Sequence, residues 1–194
     1  KDGWSFAGSA VKDTTSKTSA VPGSVSASPG YCKITVNTTN CSAKVGGTAR
    51  ASGWSGIVYD GATIDYTANT NYAFNSSGKS TDTATVTGPN TYTKTAGYGK
   101  YTVNATNCAA NVTTGWYPTT SNKTTTFTAN SGWSFGGTTT GDTTTKSAAV
   151  PGSVTASPTN FYIEVKSGTG CSANVSTGMK STSSVPTIKW TASS

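Results

Sequence analysis

Three stretches decide how this chain is read: YTANTNYAF from Tyr66 to Phe74, FTANSGWSF from Phe127 to Phe135, and WTASS from Trp190 to Ser194. In the first two, an aromatic–Thr–Ala segment passes through a polar turn into a second aromatic word. In the third, the turn begins at the last residues of the sequence. Repetition is read before anything else, because a missed repeat misreads the whole fold. Working outward, the word CSAKV at Cys41 returns as CAANV at Cys108 and CSANV at Cys171. A Gly is followed by Trp54, by Trp116 and by Met179 in equivalent loops. VPGSVSASP from Val21 returns as VPGSVTASP from Val150, with the divergent VTGPNTYT from Val86 between them.

One period therefore opens with a strand such as YCKITVN (Tyr31–Asn37) or GKYTVN (Gly99–Asn104), followed by a polar turn and the Cys word. The Gly-Trp loop, the aromatic–Thr–Ala strand, a tight turn and the Trp/Tyr-x-Phe word come next. A Thr-rich connection to a final Val-x-Gly strand closes it. Residues 31–97 and 98–160 read as complete units, 161–194 as the N-terminal half of another, and 1–30 as a C-terminal half. KDGWSFAGS at Lys1 matches SGWSFGGT at Ser131, so IKWTASS joined to KDGWSFAGS writes one more unit. The expectation is three units of about 65 residues, one split between the two ends of the chain. A half-unit alone exposes open strand edges and half a core, which folded proteins avoid. The halves can meet within one chain as a ring, between molecules as a head-to-tail filament, or along a longer covalent array. They can also remain loose tails on two whole domains. Ring closure is disfavoured because β units of this size usually chain linearly, and head-to-tail contacts that do not close give open polymers.

The class is all-β. Leu and Gln are absent and Glu164 and Met179 are the single examples of their types, whereas Thr, Val, Tyr, Trp and Ile recur at fixed spacings. No apolar stripe has helical period. Each unit is expected to be a small β-sandwich, immunoglobulin-like or β-grasp-like. Such a unit buries only roughly 60% of its unfolded surface, so contacts between units must add to its stability.

The stretch TTTFTANSGWSFGG (Thr124–Gly137), preceded by a Y-x-V strand, resembles bacterial surface-repeat families, the divergent internalin-type B repeats and the Listeria–Bacteroides repeats. YTANTNYAF and WTASS carry the same pattern in part. The family's last Trp is Gly137 here, and the VPGSV word and the cysteines lie outside its pattern. The resemblance implies a small β-grasp-like or immunoglobulin-like module, exported and arrayed on a cell surface as stalk or adhesin.

Catalytic chemistry is hard to assemble from these residues. There is no His, which removes the commonest general base and the Ser-His-Asp and Cys-His arrangements. The seven acids are Asp2, Asp13, Asp60, Asp65, Asp82, Asp142 and Glu164; the closest of them, Asp60 and Asp65, fall on opposite faces of a strand. No calcium loop or phosphate-cradling loop is present. The expectation is no enzymatic activity, no cofactor and no metal. The net charge of +7 comes from scattered lysines, without the clustering a nucleic-acid partner requires, and no apolar run is long enough to span a membrane.

The cysteines favour an oxidising compartment. Cys32 and Cys41 are close in sequence, and a fold-back of KITVNTTN would bring them together. Cys108 and Cys171 are read either as buried thiols or as bonds between molecules. Trp54 and Trp116 are either core plugs or sugar-stacking platforms, and Met179 in the same slot favours the plug. Glycosylation sequons stand at Asn37, Asn40, Asn75, Asn104, Asn111, Asn122 and Asn174, a mild excess over chance. Thr clusters such as Thr138–Thr140 are either O-glycan carriers or plain strand faces.

These readings converge on an extracellular or cell-surface structural protein whose partners are copies of itself. Trp4, Phe6, Val21, Ile188 and Trp190 are the expected subunit interface. The alternative is a surface adhesin or carbohydrate-binding array with surface glycans as partners.

Overall fold

The computed structural model describes residues 1–193; Ser194, which ends the third aromatic word, lies outside the described residues. Its regular structure is all-β, and there is no helix among the described residues. The chain forms two compact units, one of residues 1–100 with 116–118, the other of residues 101–115 with 119–194.

The first unit contains β1 (Trp4–Ser5), β2 (Tyr31–Thr39), β3 (Cys41–Val45), β4 (Thr48–Arg50), β5 (Trp54–Tyr59), β6 (Thr63–Ala68), β7 (Tyr72–Ala73), β8 (Thr81–Thr85) and β9 (Thr91–Thr95). β2 lies between β1 and β5, antiparallel to both, and also takes β9 in parallel. The other sheet has the order β4-β3-β6-β8, antiparallel throughout. Strict alternation in sequence makes this packing possible. Cys41, Ala43 and Val45 of β3 and Ile64 and Tyr66 of β6 point inward against Cys32, Ile34 and Val36 of β2, while their polar neighbours face water. Each large apolar side chain buried there contributes about 1.5–3 kcal/mol in transfer terms.

β10 (Tyr98–Ala105) begins in the first unit and ends in the second; β11 (Cys108–Ala110), β12 (Gly115–Pro118), β13 (Asn122–Ala129), β14 (Trp133–Ser134), β15 (Thr143–Ala149) and β16 (Gly152–Ala156) follow it. In the second unit, residues 101–105 of β10 pair in parallel with β16, and β13 lies antiparallel between β11 and β15. Both features repeat the first unit, where β2 takes β9 and β6 lies between β3 and β8. The inward positions are filled differently. Ile34 and Ile64 in the first unit correspond to Tyr101 and Thr125 in the second, all of them buried. The Tyr101 hydroxyl makes a 3.0 Å hydrogen bond with Thr125 Oγ1 and donates to the Lys123 carbonyl at 3.1 Å, so this exchange of two isoleucines leaves no buried hydroxyl unsatisfied.

The last strands are β17 (Asn160–Ile163), β18 (Cys171–Ala173), β19 (Gly178–Ser181) and β20 (Trp190–Ala192). β17 lies antiparallel between β14 and β19, and β18 pairs with β20.

One turn recurs three times. The residue before each Cys word, Asn40, Asn107 or Gly170, has a positive φ near 56°, 55° or 79°. This is backbone that Gly and Asn adopt at least cost. The carbonyls of these residues accept hydrogen bonds from the N–H groups of Asn69, Asn130 and Ser193 at 2.9, 3.0 and 2.7 Å. The turn that leads from β17 towards β18 is thus built like its two predecessors.

Candidate assembly surface

The aromatic of the aromatic–Thr–Ala word shows most clearly where the molecule is closed and where it is open. Tyr66 is 2% exposed and Phe127 0%, but Trp190 is 51% exposed. The backbone accounts for the difference. β6 is covered by β8 and β13 by β15, whereas among the described residues β20 pairs with β18 alone. Likewise β2 and β10 each carry a parallel strand, and β17 carries none among the described residues. Cys171, Ala173 and Ile163 are only half-buried at positions where Cys41, Ala43 and Ile34 are buried.

The chain also holds a segment resembling the missing strands. Residues 13–29, DTTSKTSAVPGSVSASP, match residues 142–158, DTTTKSAAVPGSVTASP, without a gap. The second of these forms β15 and β16, in which Val150, Val154 and Ala156 are buried. In the first, every residue from 14 to 28 is exposed and none is in a strand; Val21 is 98% and Val25 57% exposed. An apolar pattern that is core in one copy is left in water in the other.

Residues 1–13 behave differently from the segment that follows. β1 pairs with β2 as β14 pairs with β17, placing Trp4 opposite Cys32 and Trp133 opposite Phe161. The loop is tied by a buried serine and an aspartate that sequence reading missed. Ser5 Oγ donates to Asp13 at 3.3 Å and Ser134 Oγ to Asp142 at 3.1 Å, and each serine accepts an N–H, from Gly8 at 3.1 Å and from Gly137 at 3.0 Å. The signal was present as a serine eight residues before an aspartate in both copies. Trp4 packs over Gly88, where a positive φ near 105° favours glycine. Of the expected interface residues, Trp4 and Phe6 are therefore half-buried on their own chain, and Val21, Ile188 and Trp190 are exposed.

All four cysteines are free. β2 runs unbroken from Tyr31 to Thr39, so KITVNTTN does not fold back, and Cys32 and Cys41 are kept apart along the strand by about 3.3 Å per residue. Burial, with the Asp60 carboxylate adding to it, raises the Cys32 thiol above its ordinary value; burial raises Cys41 as well. Protonated, buried thiols of this kind are poor nucleophiles. Cys41 donates to the Lys94 carbonyl at 3.5 Å and Cys108 to the Ala156 carbonyl at 3.5 Å, in both cases on the parallel-paired last strand. The Cys171 thiol donates instead within its own loop, to the Gly168 carbonyl.

The tryptophan loops are closed from at least one side. The Trp54 ring lies on Gly56, leaving no room there for a Cβ, and the Arg50 guanidinium sits 4.4 Å from its centroid on a ring that is already half-buried. Trp116 similarly fills the space beside Gly78. Met179 is half-buried on β19.

Among the sequons, Asn40 and Asn174 spend their amide groups on backbone carbonyls, and Asn174 also accepts from Lys189 N–H at 2.6 Å. The Asn104 amide reaches Thr155, and the Asn75 and Asn111 side-chain oxygens accept backbone N–H groups. Asn37 is half-buried and Asn122 exposed.

One cavity of about 250 Å³ opens in the second unit, lined by Phe135, Thr144, Lys146, Thr155, Ala156 and Thr159 among others. In the first unit an ion pair stands at the equivalent place. Lys94 stands where Ala156 does and Asp82 where Thr144 does; the two form an ion pair, and the ammonium lies 5.5 Å from the Phe74 ring centroid. Hydrogen bonds from Lys79 and Lys94 hold the Asp82 carboxyl well below the usual carboxylate range. Among the described residues there is no group of three or more His, Cys, Asp or Glu poised for a metal, and no helix long and apolar enough to cross a membrane.

No protein-family model, curated protein or solved structure matches this chain.

Proposed function

We propose that this is an extracellular or cell-surface structural protein, non-enzymatic, that builds a filament, stalk or sheath from copies of itself. In this reading the chain holds three β-sandwich units of about 65 residues, one of them divided between its ends. The divided unit is completed head to tail, the N-terminal segment of one molecule closing the open C-terminal strands of the next. A single observation carries the reading. Positions that are core in two copies are exposed or only half-buried in the third, and the segment matching the strands that would cover them is itself exposed. Strand addition of this kind joins main-chain hydrogen bonds to side-chain burial, so both sequence and register contribute to recognition. The resemblance to bacterial surface repeats supports an exported, arrayed role.

The test is the mass and shape of the chain in non-reducing solution, by light scattering with negative-stain microscopy. Long regular particles are the expected result. A compact 19.6 kDa monomer at all concentrations overturns the proposal.

The cavity at Phe135 favours a second reading, a carbohydrate-binding array. An aromatic wall, threonine hydroxyls and the Lys146 amine suit a small sugar, and the covered faces of Trp54 make it a poorer platform. A glycan screen repeated with Lys146→Ala separates the two readings; retained particles with no glycan bound leaves assembly alone.

A further inference from the structure

We infer that residues Thr14–Ser28 of a second copy dock on the open edges of residues 160–193 in one defined register. This rests on the assembly reading above and names the segment and its partners residue by residue.

The closed part of the second unit supplies the template. There Phe127 lies opposite Thr144, Thr126 opposite Thr145 and Thr125 opposite Lys146, in antiparallel array. Trp190 occupies the Phe127 place in the aromatic–Thr–Ala word, and Thr15 the Thr144 place, each threonine standing two residues after its aspartate. Thr15 of the incoming copy thus faces Trp190, Ser16 faces Lys189 and Lys17 faces Ile188. On the other sheet, Tyr101 lies opposite Gly152, Val103 opposite Val154 and Ala105 opposite Ala156, in parallel. Val103 and Val165 are matched by a shared hydrogen bond, their N–H groups donating to Thr114 Oγ1 at 2.9 Å and Thr177 Oγ1 at 2.8 Å. Gly23 then faces Ile163, Val25 faces Val165 and Ala27 faces Ser167. Residues 164–167, which have no regular structure in the single chain, become the continuation of β17.

Three consequences follow for burial. Val21, Val25 and Ala27 take the places in which Val150, Val154 and Ala156 are 5%, 6% and 5% exposed. Trp190 is covered as Phe127 is. The Cys171 thiol, which donates to the Gly168 carbonyl of its own loop in the single chain, gains the Ala27 carbonyl as Cys108 has that of Ala156. Residues 1–13 take no part, because their serine–aspartate loop and β1 are already engaged on β2.

Cysteine cross-linking tests the register. Thr126 and Thr145 point outward with hydroxyl oxygens 3.3 Å apart, so the equivalent pair, Lys189 and Ser16, is close enough to bridge between chains. The full chain carrying Lys189→Cys and Ser16→Cys, oxidised and run without reductant, should lose its monomer band to a ladder of linked chains. Lys189→Cys with Thr18→Cys, two residues out of register, should not, and neither should the unaltered chain. Assembled particles that link through Thr18→Cys and not Ser16→Cys overturn the register while leaving the assembly reading intact. A link formed within one 19.6 kDa chain overturns the second copy as occupant. A chain that neither links nor associates overturns the inference and the assembly reading together.

Discussion

The segments 101–156 and 160–193 are read from nearly the same words, yet one is closed and the other open. In the first, β13 has a neighbour on each side and Phe127 is sealed; in the second, β20 has one neighbour among the described residues and Trp190 faces water. The turn before the Cys word and the pairing of the Cys strand with the aromatic strand are the same in both. Local structure therefore forms with or without the covering strands, and burial arrives only with them. In a sheet protein the last strand added contributes more than its own contacts, because it removes a row of unpaired backbone groups and closes the core behind it.

The strongest test of this comparison is to remove the covering segment. A chain lacking residues 1–30 is expected to form no particles by light scattering or microscopy, and normal filaments from it would break the comparison. Next in size are substitutions at the matched aromatic. Phe127→Ala should cost about 3–5 kcal/mol in a denaturant titration, the range for a sealed core aromatic. Trp190→Ala should change the stability of the dispersed chain by less than about 0.5 kcal/mol, as at an ordinary surface site, while reducing assembly. Equal losses in the dispersed chain would show that Trp190 already has a core.

Smaller effects sharpen the contrast between the two closed regions. Tyr101→Phe leaves Thr125 buried without its partner and should cost about 1–3 kcal/mol. Adding Thr125→Val to Tyr101→Phe should recover part of that, since both polar partners are then replaced by apolar groups. The smallest effect belongs to the Asp82 ion pair, which stands at the position equivalent to the cavity beside Phe135. Asp82 titrates below its ordinary 3.8 in the folded chain because Lys79 and Lys94 hydrogen-bond its charged form. Its stabilisation is therefore present above about pH 4 and is lost as pH falls through the lower folded value. Asp82→Asn should remove that part of the acid dependence in a pH series of unfolding midpoints. The loss near neutral pH should be no more than about 1 kcal/mol, the scale of a partly exposed pair.

Much of the architecture was legible in the words themselves. Alternating Cys-x-Ala-x-Val and aromatic–Thr–Ala patterns announce strands with one buried face, and Asn or Gly before each Cys marks the left-handed turn. Other features depended on neighbours distant in sequence. The Ile34–Ile64 and Tyr101–Thr125 exchange could not be seen from either strand alone, because its logic lies in the pairing across the core. Met179 in the matching slot favoured the plug reading of Trp54, but the Arg50 guanidinium against its ring comes from a neighbouring strand and no spacing announces it. Cys32 and Cys41 are near neighbours in sequence, but the unbroken strand from Cys32 to Thr39 carries one away from the other. Trp4 and Phe6 carried the same aromatic signal as Trp190, and only the pairing of β1 with β2 showed them already engaged.

By itself the sequence determined the all-β class, the recurrence, and the kinship of residues 13–29 with 142–158, because side-chain alternation and turn chemistry are local and write themselves into short words. Tertiary structure alone decided which copies of those words are buried, because burial depends on whether a second strand lies alongside. That is a property of pairing across the fold and is not carried by any one segment.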